Sequence, residues 1–335
     1  MTVGTLADGD GSLLQELSTT PEIATFSLHV TKRAPWRVMD LAVRLGENRP
    51  NLIIANLFHA YISSRILGKL LKRISVVSVF HSSGQGRWRS LLDRLTMQLS
   101  DCFVAVSNDS AQFAREELRV PEKKLRFIPN GVDVEWLRSP QAPREETRKQ
   151  LGLAERDFVI GCVARFHPVK DHETLLRAFE KLRRSKEGKH ARLLLVGKGE
   201  DGLKVRALAE QLRLLEHVVF TGFRRDLPEI YSAMDAFCLT SRHEGMPTAV
   251  LEAMAATRPV VATEVPGTSD VLHHGQNALL APAGDATAIA LALSRIINDP
   301  ELASRLTRQA SADVSERYGI KACAAAYCTL IRELL

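Results

Sequence analysis

Ser241-Arg242-His243-Glu244-Gly245-Met246-Pro247-Thr248-Ala249-Val250-Leu251-Glu252-Ala253-Met254 carries two glutamates separated by seven residues, just after the apolar run 236–239. Pro247 suits the first turn of a helix, where its missing N–H costs nothing. The loop and helix start then offer backbone N–H groups from Gly245, Met246 and Thr248, an arrangement that binds anions. Helix between the glutamates would set them about 12 Å apart. Retaining glycosidases hold their two carboxyl groups at about 5–5.5 Å. Glu244 and Glu252 are therefore too distant to attack one bond together. They suit opposite ends of one extended ligand with its phosphates at the helix start, the layout of a nucleotide-diphosphate sugar.

Outward from this stretch the chain alternates short β-branched apolar runs with helical segments, which predicts parallel sheets built from βα units. Strands are expected at 23–28, 52–55, 75–80, 102–106 and 125–128, with helices at 36–46, 59–72, 87–99 and 108–118. A second alternation has strands at 158–164, 192–196, 218–221, 236–239, 259–262 and 278–280. Helices belong between them at 172–184, 203–214 and 248–256, and after them at 286–297 and 302–316. Residues 138–150 are rich in Pro, Arg, Glu and Gln without an apolar period, and read as a linker between domains 1–137 and 151–318. Residues 319–335 form a C-terminal helix that could pack back on the first domain. In doubly wound folds, ligands bind at the carboxyl ends of the strands.

Four segments in order resemble retaining glycosyltransferases of family 4, which have the α/β GT-B fold of two Rossmann-like doubly wound domains facing a cleft. They are Ile128-Pro129-Asn130-Gly131-Val132-Asp133, Val163-Ala164-Arg165-Phe166-His167-Pro168-Val169-Lys170-Asp171, Val219-Phe220-Thr221-Gly222-Phe223 and the Glu–seven–Glu stretch with Pro259-Val260-Val261-Ala262-Thr263 behind it. The resemblance implies that Glu244 contacts the donor sugar and Glu252 the ribose. Arg165 and Lys170 would neutralise the diphosphate and the leaving group. Gly222 and Phe223 would flank the nucleobase, and Gly245, Met246 and Thr248 would complete the donor site. His81, in Val79-Phe80-His81-Ser82, matches a family histidine that ends a strand of the first domain and faces the donor. The implied activity is metal-independent, retaining transfer of a hexosyl group to a glycan, lipid-linked or small-molecule acceptor, in cell-surface polysaccharide synthesis for example. No cofactor beyond the donor is implied. Val265-Pro266-Gly267-Thr268 stands where the family often has two glycines, and Pro266 removes one N–H there. The opening Met1-Thr2-Val3-Gly4-Thr5-Leu6 resembles the family's second strand, so the first strand and glycine-rich loop are expected to be missing. A catalytically impaired paralogue that binds a nucleotide or a partner is the alternative reading.

Composition agrees with a globular enzyme. The 335 residues are 45% hydrophobic and 25% charged, which excludes whole-chain disorder. No apolar stretch is long enough to span a membrane, and the start lacks the pattern of a secretory signal, so a cytoplasmic address is expected. Cys102, Cys162, Cys238, Cys323 and Cys328 have neither disulfide nor zinc spacing and read as buried thiols. Net charge is +6, and 60–94 holds seven basic side chains against Asp93 alone, so the rest of the chain is neutral. Arg65, Lys69, Lys72 and Arg73 fall on one side of a helix, with Ile62, Ile66 and Leu70 expected to face the core. Such a patch suits an anionic surface at the inner face of a membrane. A nucleic-acid partner is not expected, because helix-turn-helix, RNA-binding aromatic and zinc signatures are all missing from the sequence.

Overall fold

Runs of Val, Ile, Leu and Ala without polar alternation need cover on both faces, which parallel sheets receive from their crossover helices. The computed structural model describes residues 1–6, 12–30, 35–71, 74–81 and 86–335. They divide into two units, one of Met1–Val106, Ser110–Phe127 and Cys328–Leu335, the other of Ser107–Asp109 and Ile128–Tyr327.

In the first unit β1 (Thr2–Thr5) and β2 (Ala24–Ser27) pair as a two-stranded parallel sheet. A separate parallel sheet runs in the order β3 (Leu52–Asn56), β4 (Ser75–Phe80), β5 (Cys102–Ala105), β6 (Leu125–Phe127). The helices are α1 (Ser12–Ser18), α2 (Asp40–Asn48), α3 (Phe58–Leu70) and α4 (Arg87–Thr96), together with α5 (Asn108–Gln112) from Ser110 on. Tyr61 of α3 meets Phe80 of β4 edge-on at 5.4 Å, and Phe80 stacks on Phe103 of β5 at 5.6 Å, forming the centre of this core.

Helix α3 corrects the expected orientation. It buries Tyr61, Ser64, Arg65 and Gly68 and packs Ile62 against the core as expected, while Ile66 and Leu70 are exposed. Arg65 is therefore not a surface cation: its guanidinium is fully buried and meets Asp93 of α4 at 2.5 Å. Lys69 is exposed, and Lys72 and Arg73 lie outside the described residues.

The second unit starts with α6 (Val134–Leu137) and α7 (Arg144–Gln150). Residues 138–150 are thus not a linker. Arg138 donates to the carbonyl of Ala255 at 3.1 Å, and Arg148, 5% exposed, pairs with Asp235 at 2.5 Å. Their partners lie far along the chain, so a local apolar period does not reveal the packing.

Six parallel strands follow: β7 (Phe158–Val163), β8 (Ala191–Val196), β9 (Val218–Gly222), β10 (Ala236–Leu239), β11 (Val260–Glu264) and β12 (Leu279–Pro282). Their order in the sheet is β12-β11-β10-β7-β8-β9, the doubly wound arrangement with its switch point between β7 and β10. The helices between and after them are α8 (His172–Arg183), α9 (Gly202–Gln211), α10 (Leu227–Ala233), α11 (Thr248–Ala255), α12 (Pro266–Ser269), α13 (Ala286–Asn298), α14 (Pro300–Arg317) and α15 (Ile320–Leu334). The last residues of α15 group with the first unit, where Arg126 pairs with Glu333 at 3.3 Å. Cys102, Cys162 and Cys238 are buried in strands, whereas Cys323 is half-buried and Cys328 exposed; none is paired.

Candidate active site

At the switch point the chain leaves β7 and β10 on either side of a gap, and a cleft of about 470 Å³ opens there. Segments following β7, β8, β9 and β10 line it, including Arg165, Lys170, Lys198, Phe223, Arg224, Glu244, Met246, Thr248 and Glu252.

After β7 the chain makes a tight turn, Pro168–Lys170, and Asp171 takes a left-handed backbone (φ 47°). Asp tolerates this region because its short carboxylate bonds locally. Here it accepts from the N–H and hydroxyl of Thr174 at 3.3 and 2.8 Å and starts α8. The segment after β10 is tied to this turn. Thr240 Oγ1 donates to the Asp171 carbonyl at 3.0 Å, the Arg242 N–H to that of Val169 at 2.8 Å, and Arg242 Nε to the Asp171 carboxylate at 2.9 Å.

These ties bring Lys170 to Glu244. Lys170 Nζ donates to Glu244 Oε1 at 2.6 Å, and Ser241 Oγ donates to the same oxygen. Glu244 is buried to 8% side-chain exposure, and its Oε2 has no hydrogen-bond partner among the described residues. Gly267 supports the loop from behind: a Cβ there would stand 2.4 Å from the Glu244 carbonyl oxygen and 2.3 Å from that of Gly245. Any larger residue would push the carboxylate out of place.

Glu244 precedes the helix, so its distance from Glu252 is not a helical rise. Pro247 is the residue capping α11 and not its first turn. The N–H groups of Val250 and Leu251 bond the Pro247 carbonyl, while those of Gly245, Met246, Thr248 and Ala249 have no acceptor among the described residues. Glu252, one turn further on, accepts from the buried Tyr231 hydroxyl at 2.8 Å. Burial pushes its carboxyl up, and the Tyr231 hydrogen bond opposes that shift. Burial, with Glu252 beside it, likewise raises the Tyr231 phenol.

Arg165, Lys170, Phe223, Glu244, Met246, Thr248 and Glu252 thus share one cleft, with Gly222 (φ 72°) and Gly245 adjoining the lining residues. His81 lies in the other unit, at the end of β4, with Nε2 3.0 Å from Asn56 Oδ1; burial lowers its pKa. Lys198 and Arg224 were not expected in the cleft. Lys198 Nζ sits 5.5 Å above the exposed Phe223 ring, and Arg224 pairs with Asp226. The available signal was Gly197-Lys198-Gly199. Gly197 has φ 142°, and a Cβ there would meet the Ala164 carbonyl oxygen at 2.1 Å, so the Lys198 turn packs directly on the Arg165 segment.

Solved structures share this fold. Anabaena HepE, crystallised with UDP-glucose, superposes with a TM-score of 0.86 at 23% identity, over 99% of this chain and 91% of that one. The fold is GT-B, with two Rossmann-like domains. Among curated proteins, N-acetyl-alpha-D-glucosaminyl L-malate synthase of Bacillus anthracis is 26% identical over 89% of this chain and 79% of its own length. The GDP-mannose-dependent alpha-(1-6)-phosphatidylinositol monomannoside mannosyltransferase of Mycobacterium tuberculosis is 32% identical over 55% of this chain. That match spans about half (49%) of the relative's length. The Glycosyltransferase Family 4 profile matches residues 2–136, and the glycosyl transferases group 1 profile matches residues 143–313, half of the chain. The chain belongs to the glycosyl transferases group 1 family.

Proposed function

We propose that the cleft binds a nucleotide-diphosphate sugar and that the protein transfers the sugar, with retention, to a glycan, lipid-linked or small-molecule acceptor. One observation carries this reading. A lysine-paired carboxylate (Glu244) and a tyrosine-bonded carboxylate (Glu252) line one cleft, and between them in sequence α11 starts after Pro247 with no side chain bonded to its first N–H groups. The UDP-glucose bound by HepE supports the donor class. The malate and phosphatidylinositol mannoside in the relatives' names support acceptors of the small-molecule and lipid kinds.

Glu252 accepts the ribose hydroxyls, Glu244 holds the sugar, and the N–H groups at the start of α11 receive the diphosphate. Arg165 and Lys170 stabilise the charge that grows on the leaving phosphate, and no metal is required for that step. The acceptor attacks on the face the nucleotide leaves, with the departing phosphate taking its proton. His81 is assigned to the donor side on family resemblance.

Calorimetry with UDP and GDP tests the donor site. Glu252→Ala should weaken nucleotide binding by about 1.5–3 kcal/mol, the value of a hydrogen bond to a charged group. Glu244→Ala should lower turnover and leave nucleotide affinity near wild type, and wild-type turnover should persist in excess EDTA. Wild-type affinity in the Glu252 variant overturns the ribose assignment. Nucleotide binding without sugar transfer or donor hydrolysis favours the impaired paralogue.

A further inference from the structure

Helix α4 is turned inside out. Its one acidic residue, Asp93, is fully buried, whereas Trp88, Leu91, Leu92 and Leu95 are 80%, 46%, 45% and 70% exposed. At about 100° per residue these four fall in an arc of about 100° opposite Asp93, the width of the apolar stripe that a surface helix ordinarily turns to its core. The reason lies in the groups beneath. Asp93 accepts from Arg65 Nη1 at 2.5 Å and from the Tyr61 hydroxyl at 2.8 Å. Arg65 also donates from Nε to Ser78 at 3.0 Å and Ser100 at 2.9 Å, and from Nη1 to Thr96 at 3.1 Å. Its guanidinium lies over the Tyr61 and Phe103 rings at 4.6 and 5.1 Å. Half a turn of α4 would bury the leucines, but it would take Asp93 away from a buried arginine, and a buried charge that loses its partner is strongly destabilising. The ion pair therefore holds the apolar face outward.

The charge around this face selects its occupant. Asp93 is the only acidic residue from 57 to 100, and Arg65 neutralises it internally. Arg89, Arg94 and Lys69 are exposed on α4 and on α3; Arg94 makes a 3.9 Å contact with Glu117, and Arg89 lies over the Phe58 ring at 5.3 Å. Ile66 and Leu70 of α3 are exposed as well. An apolar face with tryptophan at its N-terminal end and basic residues around it matches a helix lying in a lipid interface. A second copy would bring like charges together, which opposes self-association. We propose that α4 docks flat on an anionic lipid surface, with Trp88, Leu91, Leu92 and Leu95 entering the headgroup–acyl boundary and the basic residues meeting lipid phosphates.

Sedimentation of the full chain with vesicles tests this, using phosphatidylcholine alone and phosphatidylcholine mixed with phosphatidylglycerol. The wild type should sediment with the mixed vesicles, less so as salt rises, and its tryptophan emission should shift to the blue. Leu92→Ser/Leu95→Ser should lower partitioning roughly tenfold or more, while Trp88→Phe should keep binding and lose most of the shift. All three positions are exposed, and calorimetry with UDP reads the separate donor cleft, so folding and donor binding are checked independently. Wild-type partitioning of the double leucine variant overturns the proposal, as does failure of the wild type to bind mixed vesicles. In the latter case, self-association that the leucine changes abolish would assign the face to a second copy.

Discussion

His172 opens α8 with its ring edge-on to Phe166 at 4.7 Å and only 4% of its surface exposed. Burial, aided by the Lys170 cation, pushes its pKa down to about 4. The folded ring therefore stays neutral while an unfolded histidine takes up its proton near 6.5. Between these values the unfolded chain binds more protons, so stability falls as pH drops from 6.5 towards 4, by about 3 kcal/mol over the full span. Urea unfolding of wild type and His172→Gln at neutral pH and near pH 4 measures this. The stability difference should move in favour of the variant by about that amount on acidification; an unmoved difference means the ring titrates normally. At this scale, legibility followed sequence locality. Glu244, Glu252, Arg165 and Lys170 stand in contiguous stretches whose residue types state their chemistry, and the structure brings all four to one cleft. Gly267 and Arg224 act where loops from different strands meet, which no single stretch displays, and for Lys198 the flanking glycines mark the turn but not the cleft it enters. Arg65 hides its burial for the same reason, since only its distant partner Asp93 makes burial of the charge tolerable.

Elements were legible where apolar runs did the packing. The strands at Ser75–Phe80 and Ala236–Leu239 fall at their expected bounds, because continuous buried runs leave little choice of register. Helices packed by polar side chains were not. Helix α7 has no apolar stripe; it is held by Arg148, which donates to Asp235 and to the carbonyls of Ala233, Glu155 and Asp157 at 3.0–3.1 Å. Arg144 supports it through the Asp235 carboxylate and the carbonyl of Met234. Asp235 keeps Arg144 when Arg148 is lost, but the carbonyls of Ala233, Glu155 and Asp157 lose their donor, so Arg148→Met should destabilise the second unit by about 3 kcal/mol. A change at a loose linker would stay within about 0.5 kcal/mol. Denaturant midpoints at constant slope separate the two outcomes. A buried ion pair likewise governs α4, whose apolar stripe marks the outward face and whose Asp93 marks the inward one.

At the scale of the molecule, the two proposed ligands fall in different units: the nucleotide in the six-stranded second unit, the lipid surface on α4 of the first. A ligand that binds only the folded form stabilises whatever must unfold to release it, by about 2.7 kcal/mol at a hundredfold excess over Kd. Hydrogen exchange can therefore map each ligand to its unit. UDP should slow exchange in β7, β10 and α11, whose ends form the cleft, and leave β3, β4 and β5 near their free rates. Anionic vesicles should slow exchange in α4 and the α3 segment ion-paired to it, with little change around the cleft. The buried Arg65–Asp93 pair gives the second effect its reach, since α4 cannot open without exposing that pair to lipid or water. Protection spread evenly over both units by either ligand would mean that they open as one cooperative block and not one by one.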